Sequence, residues 1–111
     1  MKILKFGGTS IVNDFCINNI INIVKNETKC VVIVSALSGV TNLLNNCMSR
    51  AKEGNLKFKS EIDEILKQHI DIINLFISKK CQSKLIAFIK NELNKVEKLL
   101  KGISLVKEIT P

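Results

Sequence analysis

Apolar positions follow two rhythms along this chain. Ile3-Leu4 with Phe6, and the β-branched run from Cys30 to Val34, are short, bounded and apolar on both faces, the pattern of strands buried in a parallel sheet. Everywhere else the apolar residues recur at helical spacing. Ile11, Phe15, Ile20, Ile21, Ile23 and Val24 predict a helix from about Thr9 to about Asn26, with Thr9 or Ser10 as its N-cap and the polar connector Asn26–Lys29 after it. Leu43, Leu44, Cys47, Met48 and Ala51 predict a helix to about Lys52, stopped by Gly54. A loop over Asn55–Lys59 then leads to a helix capped by Ser60, with Asp63 and Glu64 near its start and Ile62, Ile65, Leu66, His69, Ile70, Ile73, Leu75, Phe76 and Ile77 keeping a helical period. A break near Ser78–Gln82 precedes a last helix carrying Leu85, Ile86, Phe88, Ile89, Leu93, Val96, Leu99 and Leu100 on one side. Gly102 is expected to end it, leaving Ile103–Pro111 as an extended tail.

Strand, helix and strand within the first 34 residues make one βαβ unit, so the predicted class is α/β. The strands should be parallel and the crossover right-handed. Both strands then end at the same edge of the sheet, where open α/β sheets bind ligands. The length, 111 residues, suits one small domain, and 46% hydrophobic with 24% charged residues is ordinary globular composition. No segment reaches the roughly 18 unbroken apolar residues of a membrane span, and the N-terminus lacks the layout of a signal peptide. The chain therefore reads as cytoplasmic, with no membrane partner.

A net charge of +7 raises nucleic-acid binding as a class. Arg50 is the only arginine and aromatics are few, while Lys, Asn and Ile are abundant together, the residues of A- and T-rich codons. Base composition accounts for the charge, and no nucleic-acid partner is expected. Cys16, Cys30, Cys47 and Cys81 form no C-x-x-C pair and His69 is the single histidine, so neither zinc nor a disulfide is expected. His69 falls mid-helix and reads as structural.

Two turns carry the chemistry. At the first, Gly7-Gly8 lets backbone N–H groups turn toward an anion, and the following helix start adds its dipole. Lys5, two residues before the pair, can reach a β- or γ-phosphate as a point charge. A solvent-facing lysine before an ordinary turn fits the same spacing. At the second turn Ser35, Ser38, Thr41 and Asn42 are neutral donors and acceptors around Gly39, suited to a carboxylate or a phosphate edge. Helix capping by Thr41 with turn-forming serines fits there too.

Taken together, Lys5-Phe6-Gly7-Gly8-Thr9-Ser10 and, about 25 residues on, Val34-Ser35-Ala36-Leu37-Ser38-Gly39-Val40-Thr41-Asn42-Leu43-Leu44 closely resemble the start of the aspartokinase family. His69–Ile73 and Leu100–Pro111 resemble the helical segment and following strand of that family, most of all in enzymes that join aspartokinase to homoserine dehydrogenase. Ile11 stands where the family often has Val. The resemblance implies an amino acid kinase-like three-layer fold, of which residues 1–111 are the N-terminal portion. It implies transfer of the ATP γ-phosphate to the side-chain carboxylate of L-aspartate, in lysine, threonine and methionine biosynthesis. On that basis Lys5 is the catalytic, phosphate-contacting lysine. Lys5, Phe6, Gly7 and Gly8 bind ATP, Ser35 and Thr41 bind aspartate, and Mg²⁺ accompanies the nucleotide without a protein metal site.

The family's substrate-binding glutamate, its later glycine-rich loop with a Ser-Asp pair, its substrate-facing arginine and its base site have no counterpart in these residues. The expectation is an incomplete fragment, inactive alone. The alternative is a non-catalytic interaction piece that needs a second chain, a complementing C-terminal half or a self-associated copy, to complete the kinase site. A basic helical RNA-binding module is the third reading. A sheet of so few strands should also leave apolar surface uncovered and the fold marginal.

Overall fold

The structure, a computed structural model, describes residues 1–7 and 14–109. It is mixed α/β: a two-stranded parallel sheet at the start, followed by helices. The elements are β1 (Lys2–Phe6), α1 (Asp14–Lys25), β2 (Cys30–Val34), α2 (Val40–Lys52), α3 (Lys59–Phe76) and α4 (Lys79–Ile109). They divide into two compact units, Met1–Thr41 and Asn42–Pro111.

In the first unit β1 and β2 pair in parallel with Lys2 beside Cys30 and Phe6 beside Val34. The strand bounds are those the apolar runs predict. The predicted start of α1 and its cap at Thr9 or Ser10 lie outside the described residues. Burial differs from expectation. Val31, Val32, Ile33 and Val34 are 40–56% exposed and Ile3 is 69% exposed, whereas Leu4 and Phe6 are half-buried. Alternation along β1 puts Leu4 and Phe6 on one face and Ile3 and Lys5 on the other. A strand pattern apolar on both faces calls for cover on both faces, and two strands with one crossover helix do not supply it. The uncovered apolar surface foreseen from the strand count is present.

The second unit is built on Cys47, Ala51, Phe58, Ile62 and Leu100, with Leu93, Val96 and Ile103 packed against them. α2 closes at Gly54, whose φ of +78° is left-handed; its N–H donates to Ala51 O at 3.0 Å and the Asn55 N–H to Arg50 O at 2.8 Å. The corner that follows is clasped electrostatically. Arg50 donates to Lys57 O at 2.6 Å and pairs with the Glu61 carboxylate, and Asn55 Oδ1 accepts from the Lys57 N–H at 2.8 Å. Glu61 is buried. Its own backbone N–H, then the Ser60 hydroxyl at 3.0 Å and Arg50, hold its carboxyl below the usual range against the opposing effect of desolvation.

Ser60 is therefore not the cap of α3. The cap position falls two residues earlier, at Phe58, the helix begins at Lys59, and the Ser60 hydroxyl serves Glu61 instead. The burial of Phe58 in the core sets where the helix starts. The break before α4 is shorter than expected: Ile77 is extended, and the N–H groups of Cys81 and Gln82 already bond Ser78 O at 2.9 and 3.2 Å.

The largest departure is the C-terminal segment. Gly102 does not end α4, residues 103–109 are helical rather than an extended tail, and no strand follows there. The cause is packing. Leu100, Ile103 and Ser104 continue the inner stripe, and Ser104, 1% exposed, donates to Ala51 O at 3.1 Å. These contacts outweigh the roughly 1 kcal/mol that a glycine costs inside a helix. Burial of Cys47 pushes its thiol up, which fits a structural role. Among the described residues no helix is long and apolar enough to cross a membrane.

Two outcomes follow for stability. A Cβ at Gly102 would meet nothing within 4 Å, so Gly102→Ala should raise the urea unfolding free energy by about 0.5–1 kcal/mol; an extended tail would show no gain. Because the folded-state pKa of Glu61 is lowered, its stabilisation is present above the ordinary carboxylate pKa of about 4.3 and disappears as pH falls through the folded value. The wild type should therefore melt above Glu61→Gln at pH 7, and the gap should close on acidification below about pH 4.

Candidate functional site

Lys5, Phe6, Gly7, Ser35 and Thr41 lie in the first unit, whose sheet carries the two turns, whereas Asn42 belongs to the second. Parallel pairing brings the carboxyl ends of β1 and β2 to one edge. The ladder is bonded at both ends: Lys2 N–H to Lys29 O at 3.3 Å, and Ser35 N–H to Phe6 O at 3.2 Å. The second bond carries the register one step past β2, so Ser35 stands across from Gly7. The two motifs, distant in sequence, are neighbours at the edge.

Phe6 is half-buried on the face of Leu4 and anchors the end of β1. Lys5, on the opposite face, is exposed and has no ion-pair partner among the described residues. Lys2, by contrast, is paired to Glu27 at 3.1 Å at the far end of the strand. An added Cβ at Gly7 would meet nothing within 4 Å. Packing within the chain does not demand glycine there; the residue leaves room beside the backbone for a ligand. Gly8 lies outside the described residues.

Past β2, Ser35 is exposed and its hydroxyl donates to Ala36 O at 3.2 Å. The chain turns through Gly39, at φ +83°, and the Val40 N–H donates to Leu37 O at 3.1 Å. Val40, 6% exposed, opens α2. Thr41 is thus the second residue of the helix and not its cap; its side chain is exposed in the first turn. The edge therefore combines an ammonium with no ion-pair partner among the described residues, an open glycine, the exposed hydroxyl residues Ser35 and Thr41, and a helix start. An anion with several oxygens suits that set.

His69 lies in the other unit, mid-α3, with Nδ1 2.7 Å from Ile65 O, so its Nδ1–H is held by its own helix. Among the described residues no group of three or more His, Cys, Asp or Glu side chains forms a metal-binding cluster. Sequence reasoning missed the left-handed turn at Gly39, although a glycine between strand and helix is the available signal. It also missed an open groove of about 450 Å³ between α3 and α4, lined by Lys59, Ile62, Asp63, Leu93, Asn94 and Glu97. No local motif marks it, because its walls come from two helices. There Lys59 bonds Glu97 at 3.1 Å and Asp63 at 3.4 Å, contacts that raise its pKa, with the Glu97 hydrogen bond the largest cause. Compared with known proteins, the chain matches no family model, no curated protein and no solved structure.

The turn can be tested by itself. Gly39→Ala puts a Cβ on a left-handed residue and should destabilise the chain by about 1–2 kcal/mol in urea unfolding, opposite in sign to Gly102→Ala. A neutral Gly39→Ala would mean that the turn is not held in this conformation.

Proposed function

We propose that the edge formed by Lys5, Phe6, Gly7, Gly8, Ser35 and Thr41 is one side of an aspartate kinase site. Residues 1–111 are then the N-terminal portion of a cytoplasmic amino acid kinase domain with a three-layer fold. The reading rests on the resemblance of the two motifs, and one observation supports it above the others. The Ser35 N–H to Phe6 O bond sets the two motifs side by side at the carboxyl edge of a parallel pair.

In this reading the γ-phosphoryl of ATP lies across the edge. A side-chain carboxylate oxygen of L-aspartate attacks phosphorus, the bond to the β-phosphate oxygen breaks, and aspartyl phosphate and ADP result. Such transfer asks for positioning and charge more than for a base. The Lys5 ammonium stabilises negative charge on the transferring group and on the β-phosphate that leaves. The Gly7 amide faces the phosphates, the resemblance assigns Gly8 to the same ATP-binding segment, and Ser35 and Thr41 hold aspartate. Mg²⁺ travels on the nucleotide phosphates.

The exposed apolar strands favour a second reading beside it: a non-catalytic piece that completes a kinase site only when another chain covers the sheet.

Binding of a fluorescent ATP analogue tests the edge. The chain should bind it with Mg²⁺ present, and Lys5→Ala should weaken binding about tenfold, the loss of one charge-assisted contact. The chain alone should show no aspartate-dependent ATP turnover, and mixing with the C-terminal half of an aspartokinase catalytic domain should produce turnover that depends on Lys5. Absence of ATP binding, or binding indifferent to Lys5→Ala, would contradict the assignment.

A further inference from the structure

β2 uses one of its two edges. In a parallel ladder each residue turns its N–H and C=O to the same side, and successive residues alternate. The bonds from Lys2 N–H to Lys29 O and from Ser35 N–H to Phe6 O therefore turn Lys29, Val31, Ile33 and Ser35 toward β1, and Cys30, Val32 and Val34 away from it. Among the described residues the sheet has two strands, so no third strand takes up those outward groups. A row of outward N–H and C=O groups is a template for another extended backbone. The usual protection of such an edge is missing from β2, which reads Cys-Val-Val-Ile-Val without a charge or a proline, whereas β1 carries Lys2 and Lys5.

What fits an open strand edge is a strand, and the composition of β2 selects a second copy of itself. A two-fold interface sets one surface against the same surface, so any charge on it meets a like charge; β2 has none. Antiparallel pairing about Val32 puts Val32 opposite Val32 of the second copy and Cys30 opposite Val34, and every outward backbone group of the three residues then finds a partner. Two strands alone are marginal, and this pairing makes a sheet of twice that number. The association stops at two copies, because the edges left outside belong to β1 with its lysines. We propose that β2 pairs antiparallel with β2 of a second copy of this chain, giving a two-fold dimer with a continuous sheet in the order β1-β2-β2-β1. The proposal rests on the lateral hydrogen-bonding edge of the strand and does not depend on the kinase reading.

The test uses the full chain. Its mass by light scattering should rise with concentration toward twice that of one chain, and the outward Val32 amide should exchange with deuterium more slowly as the dimer forms. Val32→Pro removes an outward N–H, leaves the bonds to β1 in place and is doubled by the two-fold axis, so it should weaken association about tenfold or more. Val32→Lys sets two ammonium groups opposite each other and should keep the copies apart, as should Val32→Glu. Mixing these two variants should restore association as a heterodimer, a result that misfolding would not produce. In a Cys81→Ser background, Val34→Cys should form an intermolecular disulfide with Cys30 on mild oxidation, because hydrogen-bonded antiparallel pairs stand about 5.5 Å apart at Cα, within disulfide reach. A chain that stays monomeric at every concentration overturns the proposal, whether the edge remains open or takes a strand of another protein. Association that Val32→Pro leaves unchanged, a Val32→Lys and Val32→Glu mixture that stays apart, or a disulfide that maps to another pair of residues would overturn it as well.

Discussion

The hydrogen bond from the Ser35 N–H to the Phe6 carbonyl is the constraint on which the functional reading depends. It extends the parallel ladder past the end of β2 and fixes which residues of the two turns face each other. Shifting the register by one residue would move Lys5 to the other face relative to its neighbours and set Ser35 away from Gly7. The ladder from Lys2–Cys30 to Phe6–Val34 and the Lys2 N–H to Lys29 O bond carry the same register, while the strands keep much exposed apolar surface and gain little from burial. A site built on this edge is held by backbone pairing more than by a core.

The second unit is held differently. Its core is small, and α2, α3 and α4 meet where the α2 carbonyl groups would otherwise go unpaired. Gly54 and Ser104 both donate to Ala51 O, and Arg50 ties the α2 end to Lys57 and to the buried Glu61. A buried charge beside a guanidinium and a hydroxyl is tolerated because each polar atom has a partner. The same packing keeps α4 helical through Gly102 and leaves Phe88, Lys95, Leu99 and Val106 exposed on its other side.

Strand positions, the stop at Gly54 and the shared edge of the two turns were legible because local rules set them: β-branched runs, a left-handed glycine and the topology of a βαβ unit. What tertiary contacts decide was not legible. The spacing of Leu100, Ile103, Ser104 and Lys107 carries the helical period through Gly102, but only the Ala51 carbonyl gives Ser104 a reason to be buried there. Ser60 looks like a cap, yet Phe58 enters the core and takes the cap position two residues sooner. The exposure of Val31–Val34 could not be read from an apolar run, which states a preference for burial without supplying the surface that would satisfy it. Lys5 and Ser35 were identifiable from motif and spacing, whereas the lysine's lack of an ion-pair partner among the described residues needed coordinates.

The claim that the carboxyl edge of the sheet is where phosphate binds is tested most directly by amide chemical shifts in an isotope-labelled sample titrated with MgATP. Shifts concentrated at Lys5, Gly7, Ser35 and Thr41, with the α3 and α4 amides unmoved, are the predicted result. Shifts confined to the lysine-rich side of α4, or none at the edge at saturating nucleotide, would contradict it.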